Sequence, residues 1–174
     1  EEALTHVQSG DFIIVPTGVG EPPALLSALS AHRRQFTGVK VGQILAIRKY
    51  DYFDPETVDH VRHVAFFYGA ASRAGGQAGW TDFIPSHFSE MPSLIERGQI
   101  PADVVFSMAS PMDAHGYFSL SLCADYTMAA VAKARAVVLE VNPNVPFAYG
   151  NCLVHISQVT ALIESSDPVM EVGL

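Results

Sequence analysis

The chain has 174 residues, enough for one well-buried domain and short for two. Apolar residues make up 49% of it and charged residues 16%, a balance that builds a large core and excludes a disordered chain. Acids outnumber bases 18 to 10, and the net charge of -8 repels phosphate backbones, so a nucleic-acid partner is not expected.

In chain order, "FIIV" (Phe12 to Val15) reads as a strand. A Gly-rich turn follows, then "PPALLSALSAHRR", where Leu25, Leu26 and Leu29 recur at helical spacing. Pro22 or Pro23 fits the first helical turn, where a missing N–H costs nothing, and Arg33 and Arg34 fall near the helix end. "VGQILAI" (Val41 to Ile47) and "HVAFFYG" (His63 to Gly69) are continuous apolar runs, as in strands covered on both faces of a parallel sheet. "SEMPSLIERG" predicts a helix stopped at Gly98, with Pro92 at its start or kinking it. "DVVFSMA" (Asp103 to Ala109) is a further buried strand and runs directly into "SPMDAHGYFSL". "ADYTMAAVAKARA" predicts a long Ala-rich helix, and "VVLEV" (Val137 to Val141) and "VTALIES" (Val159 to Ser165) the last strands. The alternation of strand and helix predicts an α/β domain over residues 1–174, a mainly parallel sheet with flanking helices. "NPNVPFAYGN" reads as an irregular loop and "SSDPVMEVGL" as a linker leaving the domain. With Glu1 rather than Met at the start, that tail leads to the expectation of a longer natural protein.

No apolar run reaches the roughly 18 residues of a membrane span, and no basic-then-apolar leader signals export. A cytoplasmic protein without membrane contact is expected. Cys123 and Cys152 lack CxxC spacing, so they give neither a disulfide framework nor a zinc knuckle and read as small buried thiols.

In open α/β sheets, ligands bind beyond the carboxyl ends of strands, and two segments there carry unusual chemistry. In "VPTGVGEPPALL", Gly18 and Gly20 let the backbone approach a ligand closely, and the following helix offers N–H groups to an anion. It matches neither a Walker motif nor the dinucleotide fingerprint, and a simple tight turn accounts for the glycines equally well. Glu21 is placed for function beside this turn or for serving the helix N-terminus. In "SPMDAHGYFSL", Asp113 and His115 would need a nucleophile for triad chemistry; Ser110, Ser119 and Ser121 are near, but none sits in a GxSxG elbow. The other six histidines are scattered, and a metal site is not expected. Composition favours a turn, with Asp113 as an Asx cap and Gly116 at positive φ, structural or lining a site. Trp80 and "FIPSHF" (Phe83 to Phe88) wall a pocket or, more commonly for aromatics, pack in the core. Glu140 is either an acid with a raised pKa or a strand-end carboxylate capping a neighbouring loop.

Three ordered segments, "PADVVF", then "SPMDAHGYFS", then "DYTMAA", together with "SGDFIIVPTGVGEPPALLSAL" and "VHISQVTALIE", resemble the N-terminal domain of the acetyl-CoA hydrolase/transferase family. These are class I CoA-transferases, and the likeness is strongest to the 4-hydroxybutyrate and butyrate branch. It covers almost the whole chain. The resemblance implies the first of two homologous α/β domains and an enzyme in which a glutamate carboxylate attacks acyl-CoA. A glutamyl-CoA thioester forms through an acyl anhydride, and an acceptor acid then takes the CoA. It also implies that the catalytic Glu lies in the second domain, so no catalytic residue is assigned here. Gly18, Val19, Gly20 and Glu21 on one wall, and Asp113, His115, Gly116 and Tyr117 on the other, are the expected substrate-binding residues. Coenzyme A is a co-substrate, with no permanently bound cofactor expected. The partners implied are acyl-CoA, a small carboxylic acid, the C-terminal domain and other copies in a homo-oligomer. The acceptor stays open among 4-hydroxybutyrate, butyrate, acetate and itaconate. Open too are hydrolase activity, a non-catalytic small-acid or acyl-CoA binding module, and a subunit completed by a separate chain.

Overall fold

A computed structural model describes residues 2–171, so the last residues of the predicted linker, 172–174, lie outside the described residues. The strands are β1 (Phe12–Ile14), β2 (Val39–Gln43), β3 (Val61–Ala65), β4 (Asp82–Phe83), β5 (Val104–Ala109), β6 (Tyr117–Ser119), β7 (Ala136–Val141), β8 (Leu153–His155) and β9 (Ala161–Glu164). The helices are α1 (Pro23–Ala31), α2 (Arg73–Ala78), α3 (Met91–Glu96) and α4 (Thr127–Val131), joined by several short 3-10 turns.

Seven strands form one sheet in the order β4-β3-β2-β1-β5-β7-β9, and every pairing in it is parallel. β6 and β8 form a separate antiparallel pair, Phe118 opposite Val154. The two-residue periodicity of the strands divides the core in two. Ile13, Val15, Val41, Val61, Phe106 and Val138 face α1, whose Leu25, Leu26 and Leu29 are buried among them. Phe12, Ile14, Val64, Val105, Val137 and Leu139 face Met91 and Ile95 of α3, Ala130 and Val131 of α4, and Phe118. Each buried leucine or isoleucine side chain contributes about 1.5–3 kcal/mol, which makes the central strands the rigid part of the molecule. The expected mainly parallel α/β fold is what the chain adopts.

The boundaries differ from the sequence reading where the backbone must leave the sheet. β2 starts at Val39 and stops at Gln43, so Ile44 to Ile47 are loop, and β3 stops at Ala65 rather than Gly69. The predicted Ala-rich helix shortens to five residues. Asp125 accepts hydrogen bonds from the Thr127 N–H and hydroxyl before it, and Arg135 N–H donates to the Asp103 carbonyl after it, which brings the chain into β7. Tertiary placement of the next strand overrides helix propensity there. The predicted core role of "FIPSHF" does not hold for its two phenylalanines. Phe83 and Phe88 are 44% and 56% exposed, because β4 is a two-residue edge strand that leaves the sheet at once. Cys152 is buried, but Cys123 is only half-buried.

The strand order places the site. From β1 the chain steps outward through β2, β3 and β4, then returns to β5 on the other flank of β1 and steps outward through β7 and β9. The order reverses between β1 and β5, whose Ile13 and Ile14 pair with Val104 and Val105. A crevice opens beyond the carboxyl ends of two strands at such a switch point, because their following loops diverge to opposite sides. The Gly18–Glu21 turn follows β1, and the Ser110–Leu120 segment follows β5.

Candidate functional site

Gly18 to Gly20 form a 3-10 turn, and Gly18 takes φ 55, a left-handed backbone that glycine adopts without cost. Gly20 has a different reason to lack a side chain: a Cβ there would stand 2.6 Å from Cys123 Cβ and 3.0 Å from Pro16 Cβ. The turn is therefore pressed against the segment leading into α4. Asp125 Oδ2 accepts the Thr17 N–H at 3.1 Å, and the Tyr126 hydroxyl donates to the Val15 carbonyl at 2.6 Å while accepting the Ile44 N–H. Sequence reasoning assigned no site role to Asp125 and Tyr126. Their signal lay in "DYT", visible only as part of a larger block.

Glu21 turns inward rather than toward solvent. It is 1% exposed, and its two oxygens accept from the Gln43 amide, the N–H groups of Ile47 and Arg48, and the Tyr50 hydroxyl, at 3.0–3.3 Å. Burial pushes its carboxyl above the usual range, and those four donors pull it back. The helix N-terminus that Glu21 was placed to serve is occupied by another carboxylate. Glu140, fully buried on β7, accepts the Ala24 and Leu25 N–H groups at 2.9 and 3.1 Å through Oε2. Pro22 and Pro23 carry no N–H, and Leu26 N–H donates to the Pro22 carbonyl, so the first turn of α1 is satisfied internally. The expectation that this helix offers free N–H groups to a ligand anion is thus corrected. Both open readings of Glu140 meet in one residue, since it caps a neighbouring element and burial raises its pKa.

On the other side of the switch point, Asp113 Oδ1 accepts the N–H groups of His115 and Tyr117, each at 2.8 Å, and Asp113 N–H donates to the Tyr117 carbonyl. The Tyr117 and His115 amides hold the Asp113 carboxyl below its usual pKa. Gly116 has φ 85, as the Asx turn requires. The tip leans on β8: the Gly116 carbonyl accepts the Ile156 N–H, and the Tyr117 and His155 rings meet edge to face at 4.9 Å. At the base, Ser110 Oγ accepts the Ser119 N–H and Ser119 Oγ donates to the Ala148 carbonyl; both serines are buried and serve the turn. A cavity of about 290 Å³ beside it is lined by Pro111, Met112, Phe118, Ile156 and Leu162.

The structure thus brings Gly18, Val19, Gly20 and Glu21 together, and Asp113, His115, Gly116 and Tyr117 together, on adjacent strand ends. Among the described residues no hydrogen bond or ring contact joins the two sets; the nearest neighbours of the glycine turn are Cys123, Asp125 and Tyr126. Among the described residues, no three His, Cys, Asp or Glu side chains converge as a metal-binding group, and no helix is long and apolar enough to cross a membrane.

Four of the exposed large apolar side chains described lie at the carboxyl ends of the parallel strands. Leu45, Phe67, Phe83 and Met112 lie at or just beyond the carboxyl ends of β2, β3, β4 and β5, on the carboxyl rim of the seven-stranded sheet. Phe88 and Tyr149 lie in the connections that follow β4 and β7, Tyr117 opens β6 and Ile156 follows β8 in the separate pair, and Leu162 lies within β9. The chain itself leaves the sheet on this rim. Asn142 and Asn144 donate side-chain N–H groups to the carbonyls of Ser166 and Asp167 just beyond β9.

The Acetyl-CoA hydrolase/transferase N-terminal domain family matches residues 1–172. Succinyl-CoA:cyclohexane-1-carboxylate CoA transferase of Geobacter metallireducens is 43% identical over 97% of this chain and 38% of its own length. The 4-hydroxybutyrate coenzyme A transferase of Clostridium kluyveri is 32% identical over 98% of this chain and 40% of its own. The crystal structure of RipA from Yersinia pestis superposes with a TM-score of 0.91 at 30% identity, covering 99% of this chain and 43% of that one. The chain therefore spans about two fifths of the length of the relatives it matches. It belongs to the acetyl-CoA hydrolase/transferase family and corresponds to its N-terminal domain.

Proposed function

We propose that this member of the acetyl-CoA hydrolase/transferase family is the N-terminal part of an enzyme that moves CoA between an acyl-CoA and a small carboxylic acid. The observation that carries the reading is the carboxyl rim. In a chain two fifths as long as its relatives, the switch-point loops, the end of β9 and the exposed side chains of Leu45, Phe67, Phe83 and Met112 all lie at the carboxyl ends of the parallel strands. Exposed apolar side chains gathered along one edge of a sheet suit an interface or a binding cleft, and this rim serves as both. The remainder of the polypeptide docks on this rim and closes a cleft over the glycine turn.

Within that cleft, Gly18, Val19 and Gly20 form the wall nearest the acyl group, and Glu21 fixes the wall from behind. Asp113 and Gly116 hold the second turn, which presents His115 and Tyr117 to the acid. The attacking glutamate comes from the docking domain; the two buried glutamates among the described residues, Glu21 and Glu140, accept backbone N–H groups and serve the scaffold. The attacking carboxylate adds to the acyl-CoA carbonyl and displaces CoA thiolate, giving an acyl-glutamyl anhydride. The thiolate then attacks the glutamyl carbonyl and expels the donor acid as its carboxylate. The acceptor carboxylate attacks the resulting glutamyl thioester, and the thiolate it displaces takes the new acyl group and frees the glutamate. CoA is a co-substrate, and its phosphates are met by the other domain, as a domain of net charge -8 offers them little.

The test uses the full-length polypeptide with acyl-CoA donors and acetate, butyrate, 4-hydroxybutyrate or itaconate as acceptors. Transfer of CoA, with a glutamyl-CoA adduct trapped outside residues 1–174, is expected. Binding of acyl-CoA with no exchange would leave a non-catalytic module, and release of free CoA without an acceptor acid would identify a hydrolase.

A further inference from the structure

We infer that Asn142 and Asn144 latch the polypeptide where it leaves the sheet, and so set the angle at which the remainder of the enzyme closes on the Asp113 turn. The inference rests on the proposed docking of that remainder at the carboxyl rim. β7 and β9 pair in parallel as far as Val141 and Glu164, and Ser165 N–H adds one more bond, to the Val141 carbonyl at 2.9 Å. There the ladder ends, because β7 gives way to a turn at Asn142, whose carbonyl accepts the Val145 N–H.

Two side-chain amides take over at that point. Asn142 Nδ2 donates to the Asp167 carbonyl at 2.8 Å, and Asn144 Nδ2 donates to the carbonyls of Ser166 at 3.0 Å and Asp167 at 3.2 Å. Asn142 is 1% exposed, and its Oδ1 accepts the Asn144 N–H at 2.9 Å, which fixes the turn that carries the second amide. The Asn142 backbone N–H donates to the Ala109 carbonyl at the end of β5, so the latch is anchored to the strand that runs into the Asp113 turn. Asp167 N–H reaches only its neighbour Ser165 Oγ, at 3.4 Å. Among the described residues, no other hydrogen bond holds Ser166 or Asp167, and none joins residues 168–171 to the sheet.

The latched segment also faces the site. Ser165 and Ser166 line a cavity of about 410 Å³ together with Pro111, Val141 and Pro143, so the exit of the chain and the segment carrying Asp113 share one space. When the attacking carboxylate and the walls of the cleft belong to different domains, a misplacement of about 1 Å costs about 100-fold in rate. A donor is required at both asparagine positions, since all three bonds end on carbonyl oxygens; a carboxylate there would meet them acceptor to acceptor. Both are positioning residues, and neither needs to touch substrate.

The experiment uses the full-length enzyme with two variants. Asn142→Asp keeps an oxygen for the Asn144 N–H and loses the bond to Asp167; Asn144→Ala removes the other two bonds at an exposed site. Amide exchange at Ser165 and Asp167 should speed in both. The kcat should fall by about 10- to 100-fold while KM for the acid stays within about threefold. Asn144→Gln, which keeps an amide donor on a longer stem, should recover part of the loss. Unchanged exchange in both variants would overturn the inference, and so would faster exchange with kcat within about twofold of the parent. A loss confined to KM would mark a contact with the acid instead of alignment, and would equally overturn it. If the parent polypeptide catalyses neither transfer nor hydrolysis, the proposed function fails on its own. Distances between spin labels on the two domains then decide the latch: a broader distribution in both variants keeps it, and an identical one removes it.

Discussion

Replacing Glu140 tests the structural half of the site most directly, because this carboxylate ties the far end of β7 to the start of α1. In Glu140→Ala, the Ala24 and Leu25 N–H groups lose their acceptor in a position closed to water. An orphaned buried donor costs about 1–3 kcal/mol, so two cost about 2–6 kcal/mol, less what is regained by no longer burying a carboxylate. A net loss of about 3 kcal/mol is expected, which for a domain of this size lowers the melting midpoint by about 6–12 °C. Glu140→Gln keeps one oxygen for the same two N–H groups and should fall within about 1 kcal/mol of the parent. The sign of the pH effect follows from the raised folded-state pKa. The native protein holds the proton at a pH where the unfolded chain has released it. Stability therefore falls as pH rises from the ordinary carboxylate range through the folded value, then levels. Glu140→Gln removes that component. Urea unfolding of the three proteins between pH 4 and 8 reads all of this. A cost below about 1 kcal/mol for Glu140→Ala, or a pH profile unchanged by Glu140→Gln, would refute the capping role.

Three further outcomes follow from single side chains. His63 packs its ring 4.4 Å from Phe53 with neither nitrogen bonded, and burial holds its pKa down to about 3. The unfolded chain then binds the extra proton between about 6.5 and 3, so this histidine costs stability on acidification through that window. His63→Phe should remove as much as about 1.4 kcal/mol per pH unit of acid sensitivity, seen in pH-dependent melting. Gly20→Ala should destabilise by about 1–3 kcal/mol, because its Cβ meets Cys123 Cβ at 2.6 Å. Adding Cys123→Gly should recover part of that loss in the same melting assay. Asp113→Ala should speed amide exchange at His115 and Tyr117 while leaving the β5 amides protected, and Asp113→Asn, which keeps an accepting oxygen, should preserve protection at the turn.

What the amino-acid order determined by itself was local, or belonged to a pattern long enough to be specific. The apolar runs of β1, β5 and β7 can sit only in strands covered on both faces, and "DAHGY" carries the Asp and Gly that an Asx turn needs. The ordered blocks from "PADVVF" to "DYTMAA" identified the family, and the fold came with it. Tertiary structure decided which carboxylate serves which element. Glu21, next to α1 in sequence, leaves that helix to Glu140, which reaches Ala24 from 116 residues away, and turns instead to a loop about 26 residues on. Those pairings depend on strand order, and strand order is set by which apolar faces bury one another across the whole chain. Spacing along the sequence records no such distance, so the direction of Glu21 became legible only once the sheet was assembled.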